Sequence, residues 1–232
     1  MKAAAGPYVR KAEAHSSHSI ILDWLGPGGG RRLLDVGAAE GLLSRPLTER
    51  GWRVTALEAD AEAARVGARH CERMVVASAD GPLPDLGGPF DVIVCADVLE
   101  HLVDPESALA RLVTHLAPGG AVVVSIPNVA HLWIRLGLLA GRFDYADRGI
   151  LDRTHLRFFT RRTLEALLAT TVLTVERFTA TPAPLYQVVP VRWHGRGLAV
   201  VHELSALVAR GLPRLFAYQF VVLARPPRGQ AL

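Results

Sequence analysis

Leu33-Leu-Asp-Val-Gly-Ala-Ala-Glu-Gly41 is an apolar run that breaks into a Gly/Ala turn, and Val54-Thr-Ala-Leu-Glu58 is a second apolar run ending in an acid. A strand that turns sharply into a helix exposes backbone amides to a small ligand, and an acid at the end of the neighbouring strand can grip two ribose hydroxyls. Together the two stretches predict a nucleoside cofactor at the edge of a doubly wound α/β sheet. A dinucleotide fits the turn poorly. Only Gly37 and Gly41 match its glycine pattern, and the carboxylates of Asp35 and Glu40 would repel a pyrophosphate.

The same pattern continues along the chain. Met74–Asp80, Phe90–Leu102 and Val122–Asn128 read as further strand stretches, the last preceded by the turn Leu116–Gly120. Acids or polar groups close several of them, and open α/β sheets bind ligands at that edge. Between the strands, Ser16–Leu25 reads as a helix with Ile20, Ile21, Trp24 and Leu25 on one face, and Ala61–Cys71 as another. The helix after Gly41 is expected to start late, capped by Ser44, because Pro46 would kink an established helix. Asp104 caps a helix with Pro105 at its first position and an apolar stripe of Leu109, Leu112, Val113 and Leu116. Thr160 caps a helix carrying Leu164, Leu167 and Leu168; late strands fall near Leu173–Thr179 and Phe216–Ala224, and Pro226–Leu232 reads as a frayed tail.

Composition agrees with this organisation. The chain has 232 residues, half of them apolar, and a mild net charge of +4. That length suits one α/β domain with additions and excludes general disorder. The dispersed arginines form no basic stripe interleaved with aromatics, so nucleic acid is not an expected partner. Two cysteines without metal-ligand spacing, no apolar signal core in Met1–Arg10 and no long apolar run lead us to expect a cytoplasmic setting.

Asp35-x-Gly37-x-Ala39-x-Gly41 resembles the first motif of class I S-adenosylmethionine (SAM)-dependent methyltransferases, acid-x-Gly-x-Gly-x-Gly, with Ala39 in place of the middle glycine. Alanine adds a methyl where the backbone passes close to the ligand, and it resists positive φ. Asp97-Val-Leu-Glu-His-Leu102 resembles the family's motif after its fourth strand. The resemblance implies SAM as cofactor. It would be bound by Asp35, Gly37, Ala38 and Gly41 in the turn, by Glu58 and Ala59 at the ribose, by Asp80 and Gly81 at the adenine, and by Ala96 and Asp97 at the mouth. It also implies a Rossmann-like seven-stranded sheet of order 3-2-1-4-5-7-6 with the last strand antiparallel. Residues 1–232 would then form a single methyltransferase domain, with 15–128 as the SAM-binding core.

Two stretches exceed the minimal fold, residues 129–159 and 181–215. In the family such insertions build the acceptor pocket and its lid. Leu151-Asp-Arg-Thr-His-Leu-Arg-Phe-Phe-Thr160 resembles a subgroup of bacterial methyltransferases that act on small molecules in cell-surface polysaccharide and natural-product pathways. The expected reaction is therefore methyl transfer to an oxygen or nitrogen of a small-molecule acceptor, a sugar or a secondary metabolite. An alcohol acceptor calls for a base, and the candidates are His155, His131, His101 and Asp152. Asp152 lies three residues before His155, close enough for a carboxylate to orient an imidazole. A loop ion pair of Asp152 with Arg153 and a helix-entry hydrogen bond for His155 are the competing readings. No metal is expected, because Pro127-Asn128 stands where catechol-type relatives carry an Asp-Asn pair; Asn128 would bind the acceptor or hold the turn.

The apolar and arginine-bearing stretches Trp133–Phe143, Arg192–Arg196 and Leu198–Val208 leave three roles open: a packed lid, a homodimer contact, or a weak peripheral membrane contact that collects a lipid-linked acceptor. A non-methylating SAM-binding enzyme of rearrangement or cyclisation, a nucleoside-binding module and an NAD-dependent oxidoreductase are the alternatives to the methyltransferase.

Overall fold

The computed structural model describes residues 13–227, so Met1–Arg10 and nearly all of the predicted frayed tail lie outside the described residues. Seven strands form one sheet of order 3-2-1-4-5-7-6. They are β1 Arg32–Val36, β2 Arg53–Glu58, β3 Arg73–Val76, β4 Phe90–Ala96, β5 Leu116–Pro127, β6 Thr174–Thr181 and β7 Gln219–Arg225. β1 pairs in parallel with β2 (Leu33 beside Val54) and with β4 (Leu33 beside Val92). β7 runs antiparallel to both neighbours, Val222 lying opposite Val124 and Phe178. The helices are α1 Ser17–Leu25, α2 Ser44–Glu49, α3 Ala61–Gly67, α4 Pro105–Val113, α5 Leu132–Leu139, α6 Arg161–Thr170, α7 Leu185–Val188, α8 Arg196–Gly211 and α9 Pro213–Phe216.

The central strands read as continuous apolar runs because helices cover both faces, as parallel sheets require. Successive side chains alternate between the two layers. Leu34, Val36, Ile93, Cys95, Val122 and Val124 meet the leucines of α4 and α6 on one face. Leu33, Val54, Val92, Val94 and Val123 meet Ile21, Leu22 and Leu25 of α1, with Leu43, Leu47 and Trp52, on the other. Each fully buried leucine contributes about 2 kcal/mol, so these layers fix the register of the strands and hence where their C-terminal ends converge.

The caps predicted at Asp104 and Thr160 form, Thr160 and Thr163 exchanging bonds in a capping box; Ser16, read as the first helical residue, caps α1 instead. α1 turns slightly from the expected face, burying Leu22 while Ile20 and Trp24 stay half-exposed. Ser44 differs from expectation. It is the first residue of α2 rather than its cap, and its hydroxyl donates to Asp35 Oδ2 at 2.7 Å. Pro46 therefore falls in the first turn, where its missing N–H is not needed, and no kink results. β3 also stops earlier than expected, at Val76, so Asp80 stands four residues beyond the strand, in the loop that follows.

Candidate active site

The turn after β1 is built for close approach. Gly37 lies at φ +68°, and a Cβ there would meet Val98 Cγ2 at 2.5 Å. Gly41 lies at φ +81°. Ala39 also sits in the left-handed region, at φ +48°, which costs an L residue about 1–2 kcal/mol. Glu58 holds the strained turn in place. Its Oε2 accepts from Ala39 N at 2.7 Å, and its Oε1 accepts from Asp60 N at 2.8 Å. Gly67, which the sequence does not flag, lets α3 lie against this turn: a Cβ there would stand 2.8 Å from Ala39 O.

Asp35 lies beneath the turn. Burial, with the nearby charge of Glu58 adding to it, pushes the Asp35 carboxyl up to about 6, against the Ser44 hydrogen bond that pulls it down. Ala59 is exposed just past β2. On the far side, Asp80 Oδ1 accepts from Val103 N at 2.9 Å and Asp104 N at 3.3 Å, which ties the loop after β3 to the start of α4, with Gly81 following it.

At the other side of the edge, Ala96 ends β4 and Asp97 takes a left-handed φ of +57°. Ser125 Oγ and Gln219 Nε2 donate to Asp97 Oδ1 at 2.8 and 2.7 Å, joining the ends of β4, β5 and β7. Tyr218 lies next to them; burial pushes its phenol up to about 12. Neither Tyr218 nor Gln219 is flagged by the sequence, because only the antiparallel return of β7 brings them to this edge.

His101 and His155 come together. Leu156 N and Arg157 N both donate to Glu100 O, at 2.8 and 3.0 Å, which docks the 151–160 loop on the turn after β4. The two imidazoles meet edge to face, with centroids 4.8 Å apart. His155 is buried and bonds through Nδ1 to Ile150 O at 3.0 Å. Burial, then the neighbouring His101, lowers its pKa, so it is a neutral imidazole at pH 7.

Asp152 does not orient His155. Its Oδ1 accepts from Thr154 N and Thr154 Oγ1, at 2.8 and 2.7 Å, because a carboxylate two residues before an N–H closes a local turn more readily than it reaches a ring. Arg153 pairs with Asp147 rather than with Asp152. His131 stands apart from the pair as the cap of α5, its Nδ1 accepting from Trp133 N at 3.3 Å, with its ring against Tyr218. Asn128 is fully buried and holds the turn, donating to Ala217 O and accepting from Ala130 N. Phe158 lies beside His155 and continues through Phe143 to Tyr145 as an aromatic wall.

A family model described as a methyltransferase domain matches residues 11–177, and the chain belongs to that family, the class I SAM-dependent methyltransferases. The chain is 33% identical over 151 residues to a ubiquinone biosynthesis O-methyltransferase of Caulobacter sp. (strain K31), covering 62% of this chain and 59% of that relative. It thus spans less than two thirds of the length of that curated relative. Magnesium protoporphyrin IX methyltransferase from Synechocystis PCC 6803, solved with bound S-adenosylhomocysteine, superposes with a TM-score of 0.61 at 15% identity, covering 90% of this chain and 82% of that one. A [4+2]-cyclase superposes with a TM-score of 0.58 at 19% identity, covering 91% and 81%. At such identities the likeness is one of fold, and the cyclase shows that this fold is not confined to methyl transfer.

Two outcomes follow from the cofactor side. The Asp35 carboxyl keeps its proton to about pH 6 when folded and releases it near pH 4 when unfolded, so the folded state loses stability as pH rises between these values, by about 2–3 kcal/mol in all. Asp35→Asn removes that loss: in urea unfolding without ligand it should exceed the wild type at pH 8 and match it near pH 4. A gap independent of pH would refute the assignment. Glu58→Ala removes two charge-assisted bonds from the turns, and S-adenosylhomocysteine affinity should fall by about tenfold to a hundredfold; unchanged affinity would remove Glu58 from the site.

Proposed function

We propose that this chain transfers the methyl group of SAM to a hydroxyl oxygen of a small ring-bearing molecule, a sugar or a secondary metabolite, within a single domain whose 129–159 insertion forms the acceptor side. The observation that carries this reading is the His101–His155 pair, with His155 kept neutral by burial, set between Asp97 at the sheet edge and the Phe158 aromatic wall. The relatives' naming as O-methyltransferases supports oxygen as the acceptor atom. The sulfonium is already a strong electrophile. The chain's task is to align the acceptor oxygen in line with the methyl and the sulfur, and to relieve the hydroxyl of its proton as the new bond forms.

A carbonyl oxygen only accepts, so Nδ1 of His155 carries the hydrogen that bonds Ile150 O. Its Nε2 is then left with a lone pair, the state that proton removal needs. Asp97, clamped by Ser125 and Gln219, lies close enough to His155 to stabilise the imidazolium that would result. A cytoplasmic setting is supported by two free thiols, Cys71 and the buried Cys95.

A second reading concerns where the acceptor is met. α5 buries none of its residues, and Trp133 and Leu139 are 76% and 84% exposed. α8 leaves Val200, Val201, Leu204 and Leu207 exposed while burying Ala206 and Ala209. Arg135 reaches Arg214 O, which sets α5 beside α9. Among the described residues no helix is long and apolar enough to cross a membrane. Exposed apolar residues flanked by arginines suit peripheral contact with an anionic bilayer and a lipid-linked acceptor; a homodimer would cover the same residues.

The direct test supplies methyl-labelled SAM with hydroxylated sugars and aromatic metabolites. Label should enter an acceptor hydroxyl, and the matching deoxy compound should stay unlabelled. His155→Asn should lower kcat at least about a hundredfold while leaving S-adenosylhomocysteine affinity within a few-fold. Turnover of SAM-bound protein with no label transferred would favour the cyclisation alternative. For the second reading, the protein should co-sediment with anionic vesicles and a Trp133→Asp, Leu139→Asp variant should not. Equal sedimentation of the two would point elsewhere, and concentration-dependent mass doubling lost in the variant would assign the face to a homodimer.

A further inference from the structure

Glu100, His101 and His155 each offer a ligand atom, and these atoms lie within 4.8 Å of one another. Glu100 and His155 are buried, and His101 is partly open to solvent. From this arrangement we propose that the three side chains bind a divalent first-row transition ion, Zn²⁺ or a close substitute, in a site of two imidazoles and one carboxylate with an open position toward the acceptor. The ion's binding stands on its own; its role at the acceptor rests on the methyl-transfer reading above.

The hydrogen bonds of the two histidines carry the inference. His155 Nδ1 bonds Ile150 O at 3.0 Å. His101 Nδ1 lies 3.2 Å from both Thr154 O and Thr154 Oγ1, and that hydroxyl spends its hydrogen on Asp152 Oδ1. Each Nδ1 therefore faces groups that accept, so each carries its hydrogen there and leaves the Nε2 lone pair for another purpose. Metal-bound histidines are fixed in this way, the outer N–H donated to a carbonyl. Asp152 contributes here, though not as the direct partner of His155 that the sequence suggests: it orients Thr154, and Thr154 orients His101.

Donor chemistry favours the same occupant. Two imidazoles and a carboxylate converge within 4.8 Å, a donor set that such an ion takes. A divalent ion takes all three as ligands at once. Bonds of about 2.1 Å place tetrahedral ligands about 3.4 Å apart, so modest side-chain rotation closes the cluster. Two imidazoles and a carboxylate select transition ions over magnesium or calcium, and three protein ligands leave one position for a reacting oxygen. None of the three lies at Asn128, where the sequence expectation of no metal was formed.

At that position the ion would lower the pKa of the acceptor hydroxyl. The proton passes to solvent, the oxygen's electron pair forms the O–CH₃ bond, and the S–CH₃ pair stays with sulfur as neutral S-adenosylhomocysteine leaves. His155 then serves as a ligand, and the ion takes over the proton-relieving role described for the imidazole.

The test is a cobalt titration of the full chain after treatment with a chelator. One Co²⁺ per chain should bind with visible d–d bands of a four- or five-coordinate site, and Zn²⁺ should displace it. Glu100→Gln and His155→Asn should each raise the Co²⁺ dissociation constant by more than about a hundredfold, beyond the effect of an outer-shell change, while S-adenosylhomocysteine binding reports that the variants fold. No saturable Co²⁺ binding by the wild type, or equal binding by both variants, overturns the site. Methyl transfer is then compared in stripped and Zn²⁺-reloaded protein. Loss and recovery support the role given to the ion, and full activity when stripped overturns that role. Cobalt binding without transfer to any acceptor leaves the site standing and counts against the methyl-transfer reading instead.

Discussion

A single carboxylate organises the edge proposed for the cofactor. Glu58 stands at the end of β2 and accepts a backbone N–H from the turn after β1 and another from the turn after β2. It thereby holds Ala39 in a left-handed conformation that alanine adopts only at a cost. Without that tether the β1 turn would relax, and the close seating of α3 through Gly67 would loosen with it. The buried, partly protonated Asp35 beneath the turn is a second such expense. Strain and desolvation concentrated where a cationic ligand is expected are the usual cost of a binding site held ready before its ligand arrives.

The edge proposed for the acceptor depends on a different kind of constraint. Asp97 is pinned by donors from β5 and β7, and the 151–160 loop is pinned to Glu100 by two backbone bonds. These contacts bring residues more than fifty positions apart in sequence into one cluster. Each ring of the histidine pair is held at Nδ1, which leaves Nε2 for the proposed chemistry. Rigid placement matters for in-line displacement, in which small misalignments of the acceptor are costly.

Most of the sheet was legible in the sequence, and for identifiable reasons. Apolar runs bounded by glycines and acids locate the strands. The Asp104-Pro105 and Thr160 caps locate two helices. What escaped was contact between distant residues. Ser44 looked like a cap, but the unmet need of buried Asp35 claims its hydroxyl. Asp152 looked like the partner of His155, but the nearer Thr154 takes its carboxylate. Tyr218 and Gln219 reach the site only through β7's antiparallel return. The exposure of α5 was open as well, since an apolar stretch of eight residues reads alike whether it is covered or bare.

The central claim is that the edge formed by Asp35, Gly37 and Glu58 binds the homocysteine nucleoside. Calorimetric titration of ligand-free protein with S-adenosylhomocysteine, with NAD as the control, tests it most directly. One site per chain with micromolar affinity, and no heat from NAD, is the result expected. A folded sample that takes up NAD, or that binds neither, would contradict the claim.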